Sequence, residues 1–289
     1  MDVLRRVGPR GVALETTLLV HGVPRDQALP LARELAEVVA ARGAHPAIVG
    51  LVGGTPVAGM NTAELTDMLA RPDVPKVNAS NLGVLMHRGA HGATTVSATM
   101  EIAAAASIRL FATGGLGGLH PLGDGPPDIS ADLGAFTRCP VAVVSSGVKG
   151  LLDVVGTREL LESLGVCVVG FRTDHFPAFY QRASAARVDA RFDDERDLAR
   201  FLRAELVRAG RGVLVANPVP AEHEIAQGEW ERLLRDATAR AVGASGRDVT
   251  PRILAALHDL SGGRTLAANL ALVRSNADLA ARLAALWDA

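Results

Sequence analysis

Pro140-Val141-Ala142-Val143-Val144-Ser145-Ser146-Gly147-Val148-Lys149 is an apolar run that turns through small residues onto a lysine. A run of this length and composition, bounded by a turn, reads as a buried strand of a sheet covered by helices. The lysine closes the strand and opens a predicted helix. An amine on a strand-to-helix turn is only partly solvated, so its charged form is disfavoured and its pKa is expected to fall. An activated amine of this kind attacks a masked aldehyde, such as a sugar C1, to give an imine. Taken alone, the position is more commonly that of a lysine that snorkels from a strand end with its ammonium in water.

The pattern extends in both directions. Val12 to Leu14, Ala47 to Leu51, Leu110 to Ala112, Val141 to Val144, Val166 to Phe171 and Gly212 to Ala216 all read as buried strands. Amphipathic stretches fill most of the gaps: Gln27 to Arg42, Thr62 to Ala70, Thr95 to Ser107, Arg158 to Leu164, Asp193 to Ala209, Glu222 to Val242 and Thr250 to Leu260. Short apolar runs alternating with helices predict an α/β fold. No repeat of solenoid or propeller period and no long linker divides the chain. The Gly- and Pro-rich stretch Gly114 to Pro127 is predicted to be a loop, and loops of that length in a compact domain are often functional.

The chain has 289 residues, 48% of them hydrophobic, which is ample for a full core. Its net charge is -1 and it has no run of lysines or arginines, so neither nucleic acid nor an anionic membrane is an expected partner. Cys139 and Cys167 lie far apart and match no metal or redox spacing, which predicts reduced core thiols. Arg5 and Arg6 precede an apolar stretch that Glu15 interrupts, and no cleavage pattern follows. No segment has the uncharged length of a membrane span, and the expected compartment is the cytoplasm.

Glu15 follows the first buried strand, at a strand end where open α/β sheets build their sites. It suits a general acid or base, and equally a salt-bridged edge carboxylate. His21 and Gly22 then form a turn, with His21 either at the substrate or satisfied within the fold. In His91-Gly92-Ala93-Thr94-Thr95-Val96-Ser97, glycine and hydroxyls precede a helix whose free N–H groups attract anions such as phosphate, although ordinary Ser/Thr capping gives the same pattern. Thr113-Gly114-Gly115-Leu116-Gly117-Gly118 permits close backbone approach to a ligand but matches neither a dinucleotide nor a P-loop fingerprint. Asp128 and Asp132 share a helix face if a helix starts at Asp128, where two hard oxygen donors suit Mg or Mn; otherwise Asp128 is a helix N-cap. His120, in the preceding loop, could join that site. Were Lys76 near Lys149, like-charge repulsion would depress the nucleophile's pKa further.

Taken in order, "ALETTLLVHG", "GATTVSATM", "FATGGLGGLH", "DISADL" and "SSGVKGLLD", continuing through "FRTDHFPAFY", "GVLVANPVP" and "LSGGRTLAANLALVRSNADLA", resemble the indigoidine synthase A family of pseudouridine-5'-phosphate glycosidases over nearly the whole chain. The resemblance implies a single α/β/α layered domain, residues 1–289, with a central mixed, largely parallel sheet. It also implies cleavage of the carbon-carbon glycosidic bond of pseudouridine 5'-phosphate to ribose 5-phosphate and uracil, one divalent metal per subunit, typically Mn, and a homotrimer. By position, Lys149 resembles the imine-forming nucleophile, Glu15 the proton donor and Asp128 the metal ligand. Lys76, Thr94, Thr95, Val96, Ser130, Ala131 and Asp132 resemble substrate contacts, and His120 and Asn269 match positions near the reacting sugar. Two stretches depart from the family pattern: Asn78 to Asn81, where many relatives carry a more charged run, and the loop Pro121-Leu122-Gly123.

A carbon-linked uracil is a poor leaving group, so the oxocarbenium route served by two carboxylates is difficult. Opening the sugar on a lysine offers another path. Two other readings remain open: a lysine-imine lyase acting on another sugar phosphate, and a non-catalytic sugar-phosphate sensor that kept the pocket.

Overall fold

The computed structural model describes residues 1–121, 127–240 and 249–287. Its strands are β1 (Leu4–Arg5), β2 (Gly11–Glu15), β3 (His45–Val52), β4 (Thr55–Ala58), β5 (Lys76–Val77), β6 (Ala93–Thr94), β7 (Leu110–Ala112), β8 (Ala142–Ser145), β9 (Cys167–Phe171), β10 (Ala190–Phe192) and β11 (Val213–Ala216). Nine of them form one sheet in the order β1-β4-β3-β2-β7-β8-β11-β9-β10, while β5 and β6 form a separate parallel ribbon. Every pairing described in the large sheet is parallel except that of β3 with β4. That hairpin turns on Gly53 and Gly54, both at positive φ (55° and 81°), as the primed two-residue turn requires. A side chain at Gly54 would also meet the Met86 carbonyl at 2.5 Å.

The helices are α1 (Thr16–His21), α2 (Arg25–Ala40), α3 (Thr62–Ala70), α4 (Leu82–His87), α5 (Val96–Ala105), α6 (Ala131–Phe136), α7 (Val154–Ser163), α8 (Glu195–Ala209), α9 (Gln227–Arg240), α10 (Val249–Leu260) and α11 (Arg264–Ala285). Successive residues along the strands feed opposite faces of the sheet, as the pleat dictates. Ala142 and Val144 of β8 join Leu31, Leu35, Leu202 and Leu272, whereas Val143 joins Met100, Ile102, Phe136 and Leu161. One core therefore lies under α2, α8 and α11 and the other under α5, α6 and α7. The fold is α/β, with helices on both faces of a mixed, mostly parallel sheet.

All six expected strands are present within two residues of their predicted bounds, because a strand covered on both faces has to be apolar throughout. The helix predicted over Glu222 to Val242 is α9, which begins at Gln227; its last two predicted positions, and Leu122 and Gly123 of the loop, fall outside the described residues. Two local expectations are corrected. Lys149 does not open a helix: α7 begins at Val154, where Asp153 caps it by accepting from Gly156 N at 2.8 Å. Asp128 and Asp132 do not share a helix face, because α6 begins at Ala131 with Ser130 as its cap, leaving Asp128 in the preceding loop and Asp132 in the first turn. Burial pushes the thiols of Cys139 and Cys167 up to about 11, and both are free. Among the described residues, no helix is long and apolar enough to cross a membrane.

Candidate active site

The chain reverses its direction of travel across the sheet between β2 and β7. From β2 it proceeds to β3 on one side, and from β7 to β8 on the other. Loops leaving the carboxyl ends of strands diverge at such a point and open a crevice. Here the crevice has a volume of ≈ 150 Å³ and is lined by Glu15 at the end of β2 and Thr17 beyond it, Lys76 of β5 and Asn78 just after it, Thr95 and Val96 at the start of α5, Gly117, Ser130, Ala131, Asp132, and Lys149 beyond β8.

Glu15, the last residue of β2, is 8% exposed. Its carboxyl does not cap α1 but accepts a short hydrogen bond from the Thr113 hydroxyl. Burial pushes its pKa up to about 7; the Lys149 ammonium, the Thr113 hydroxyl and Lys76 pull the other way, and Asp132 adds to the rise. An acid so placed holds its proton near neutrality.

Lys149 is exposed at the cleft, so the partial burial expected of its turn is not found. Its backbone is fixed at both ends: its N–H donates to Leu116 O at 3.1 Å, and its carbonyl accepts from Leu152 N at 2.9 Å. Gly147, two residues earlier, has φ 81°, and a Cβ there would lie 1.8 Å from the Pro177 carbonyl, so only glycine lets the loop carry Lys149 over that strap. The expected repulsion between the two lysines is expressed at Lys76, whose pKa is lowered first by burial and then by Lys149, with Glu15 opposing. Asn81 holds the Lys76 carbonyl at 3.0 Å, and its own Oδ1 accepts from Asn78 N at 2.8 Å. The departure from Asn78 to Asn81 is therefore a self-bonded loop that carries Lys76.

Asp132 is 5% exposed and receives Ser97 N on one oxygen and Gly117 N on the other, each at 2.9 Å. It thereby joins the start of α5, which Thr95 does not cap with its side chain, to the glycine loop. Gly117 must lack a side chain, since a Cβ would stand 2.3 Å from Ser130 Oγ. Asp132→Ala would strand two donors in a poorly solvated wall, and we expect a loss of about 2–4 kcal/mol in urea unfolding. A loss below about 1 kcal/mol would show that water replaces the carboxylate.

Four other predicted residues lie outside the cleft lining. Thr94 is fully buried beneath it, donating to Val49 O at 2.7 Å and accepting from Thr99 at 2.9 Å. Asn269, on α11, approaches Gly114, and its buried Oδ1 makes no hydrogen bond. His120 and Asp128 stand together in the loop, with Nε2 3.7 Å from Oδ2 and the Asp128 side chain 77% exposed. One hard carboxylate oxygen and one imidazole, with no thiolate, fit a manganese-type cation. No group of three or more His, Cys, Asp or Glu residues able to hold a metal occurs among the described residues. Sequence reasoning missed Thr113, Asn217 and Asn276, which support the cleft from behind.

These features define an α/β enzyme class in which an exposed lysine and a buried, protonatable carboxyl meet at a sheet switch point. The chain belongs to the family of indigoidine synthase A like proteins, whose model matches residues 7–286. It is 47% identical over 276 residues to the pseudouridine-5'-phosphate glycosidase of Methylobacterium nodulans, covering 94% of this chain and 82% of that protein. It is 43% identical over 280 residues to that of Symbiobacterium thermophilum, covering 94% and 91%. Among solved structures, an indigoidine synthase A-like protein from Thermotoga maritima matches with a TM-score of 0.89 at 37% identity, covering 98% of this chain and 96% of that one. The prealnumycin C-glycosynthase AlnA, in complex with ribulose 5-phosphate, matches with a TM-score of 0.90 at 33% identity, covering 99% and 98%.

Proposed function

We propose that this protein reversibly cleaves the carbon-carbon glycosidic bond of pseudouridine 5'-phosphate to ribose 5-phosphate and uracil, with Lys149 as nucleophile and Glu15 as proton donor. The observation that carries this reading is the pairing of an accessible amine with an acid whose pKa lies near 7 in one cleft. The neutral amine of Lys149 attacks the ribose C1. The bond from C1 to the ring oxygen breaks, and Glu15 delivers its proton to that oxygen. The lysine nitrogen, now bonded to C1, gives up its surplus proton to the Glu15 carboxylate, which passes it to the uracil ring carbon; the carbon-carbon bond then breaks as that nitrogen forms a protonated imine with C1. Water hydrolyses the imine, releasing ribose 5-phosphate and the free amine.

Lys76, Thr95, Val96, Ser130, Ala131 and Asp132 contact the substrate in this reading, with Lys76 supplying a cation for the phosphate. Thr94 acts from beneath, holding the ribbon that bears Lys76. Asp128, with His120 beside it and water completing the shell, would hold one Mn per subunit. Such an ion supplies positive charge that orients water and substrate. Asn269, with its unpaired Oδ1, takes part in closing the sugar end. We further propose that residues 1–289 form a single domain, that the enzyme is a cytoplasmic homotrimer, and that a nucleoside kinase supplies the phosphorylated substrate.

The test is incubation of the purified protein with pseudouridine 5'-phosphate and Mn, then borohydride reduction, peptide mass mapping and uracil detection, with a parallel arm in chelator. Uracil release with a reduced ribose phosphate adduct on Lys149, both lost on chelation and restored by Mn, is the expected result. Release without an adduct on Lys149 would remove the lysine, and undiminished release in chelator would remove the metal. If no uracil forms while ribulose 5-phosphate leaves an adduct, the activity is that of a lysine-imine enzyme on another sugar phosphate.

A further inference from the structure

Asn276 lies on α11, is fully buried, and is 163 residues distant from the strand end it holds. Its Nδ2 donates to Thr113 O at 2.8 Å and to Ser146 Oγ at 3.1 Å, and its Oδ1 accepts from Asn217 Nδ2 at 2.8 Å. Thr113, Ser146 and Asn217 are the residues immediately following, or one step beyond, β7, β8 and β11. Ser146 Oγ in turn donates to Asn217 O at 2.8 Å. One amide thus ties together three neighbouring strand ends at the carboxyl edge where the cleft opens. Thr113 is gripped from both sides, since its N–H donates to Val144 O at 3.1 Å. With its backbone fixed, its hydroxyl is aimed at Oε1 of Glu15.

We propose that Thr113, held by Asn276, is a positioning residue that occupies Oε1 of Glu15 and so assigns the transferable proton to Oε2. The proposal rests on the reading of Glu15 as the proton donor. A hydroxyl has one hydrogen, and while it donates to Oε1 that oxygen is an acceptor; a proton on the carboxyl then resides on the other oxygen. The remaining charged groups facing Glu15 are Lys149, Asp132 and Lys76, and none of them constrains which oxygen is protonated as a bonded hydroxyl does. The donated bond also favours the ionised carboxyl and so offsets part of the effect of burial.

The experiment follows the Glu15 carboxyl by carbon-13 NMR titration of the free protein, alongside the pH dependence of kcat for uracil release. Thr113→Val, similar in shape but lacking the donor, is expected to raise the midpoint by about half a pH unit or more. It should move the basic limb of the kcat profile up with it and lower maximal kcat about 10-fold, with KM little changed. Thr113→Ser should restore the wild-type midpoint and kcat. Asn276→Ala, which frees the Thr113 backbone, should shift the midpoint in the same direction. An unchanged midpoint in Thr113→Val, or a serine variant that behaves like valine, overturns the proposal. If the wild type releases no uracil, the functional reading fails instead, and the titration still reports on the hydrogen bond.

Discussion

Lys149→Ala is expected to abolish turnover, lowering uracil release by about 10⁴-fold or more, while ribose 5-phosphate still binds within about 10-fold of the wild type. The expectation follows from where the chain holds this residue. The side chain is exposed, and the two hydrogen bonds that fix the turn come from the backbone, so alanine preserves the loop and costs little stability. What it removes is the only group in the cleft lining, besides Lys76, with a nitrogen able to form an imine. Lys149→Arg separates nucleophile from charge. Arginine keeps the positive charge that helps Glu15 ionise, but its guanidinium stays protonated and forms no imine. Both variants should be inactive and free of borohydride-trapped adduct. If either keeps more than about a tenth of wild-type turnover, Lys76 or a non-covalent route must take over the chemistry.

Much of this architecture can be read from the sequence because buried parallel strands admit few polar residues. Val12 to Leu14 and Leu110 to Ala112 are legible for that reason, and with the first of them Glu15 at its end, whereas Thr113, just beyond the second, carries no signal of its own. The two-residue strands β1, β5 and β6 carry no periodicity to detect, so the sequence shows no ribbon at Lys76, whose role as a substrate contact is implied only by the family resemblance. The longest helix among the described residues, α11, also escaped the pattern reading. It is Ala-rich and buried on most sides, and its inward polar residue Asn276 interrupts the apolar face where it binds the strand ends. The start of α7 carried a signal that was passed over: Asp153 ahead of Val154 and Val155 is a cap, whereas the glycine after Lys149 forms part of a turn. Ser130 decided α6 in the same manner, by accepting from Asp132 N. The bond between Thr113 and Glu15 joins residues 98 apart, and no local spacing announces it.

Glu15→Gln is expected to make the protein more stable than the wild type at high pH, by about 3 kcal/mol more at pH 8 than at pH 4.5. The ordinary carboxyl value is 4.5, and in the fold burial raises it to about 7. Each pH unit of difference corresponds to about 1.4 kcal/mol, which sets the size of the effect. The sign follows from proton linkage. Between the two values the folded chain holds a proton that the unfolded chain has released, so folding is favoured by low pH. The contribution is complete below about 4.5 and is lost as pH rises through about 7, where the buried carboxyl must ionise. Glutamine cannot ionise, and its side-chain oxygen can still accept from Thr113, so it lacks this pH-dependent loss. Urea unfolding of both proteins from pH 4.5 to 8 cancels the groups they share and isolates Glu15. A difference that stays constant across the range would mean the carboxyl titrates as it does in water, and it would then hold too few protons at neutral pH to serve as the acid. If the difference grows as expected, the energy that destabilises the ionised fold is the same energy that keeps a proton on Glu15 beside Lys149, and the acid's readiness is bought with stability at high pH.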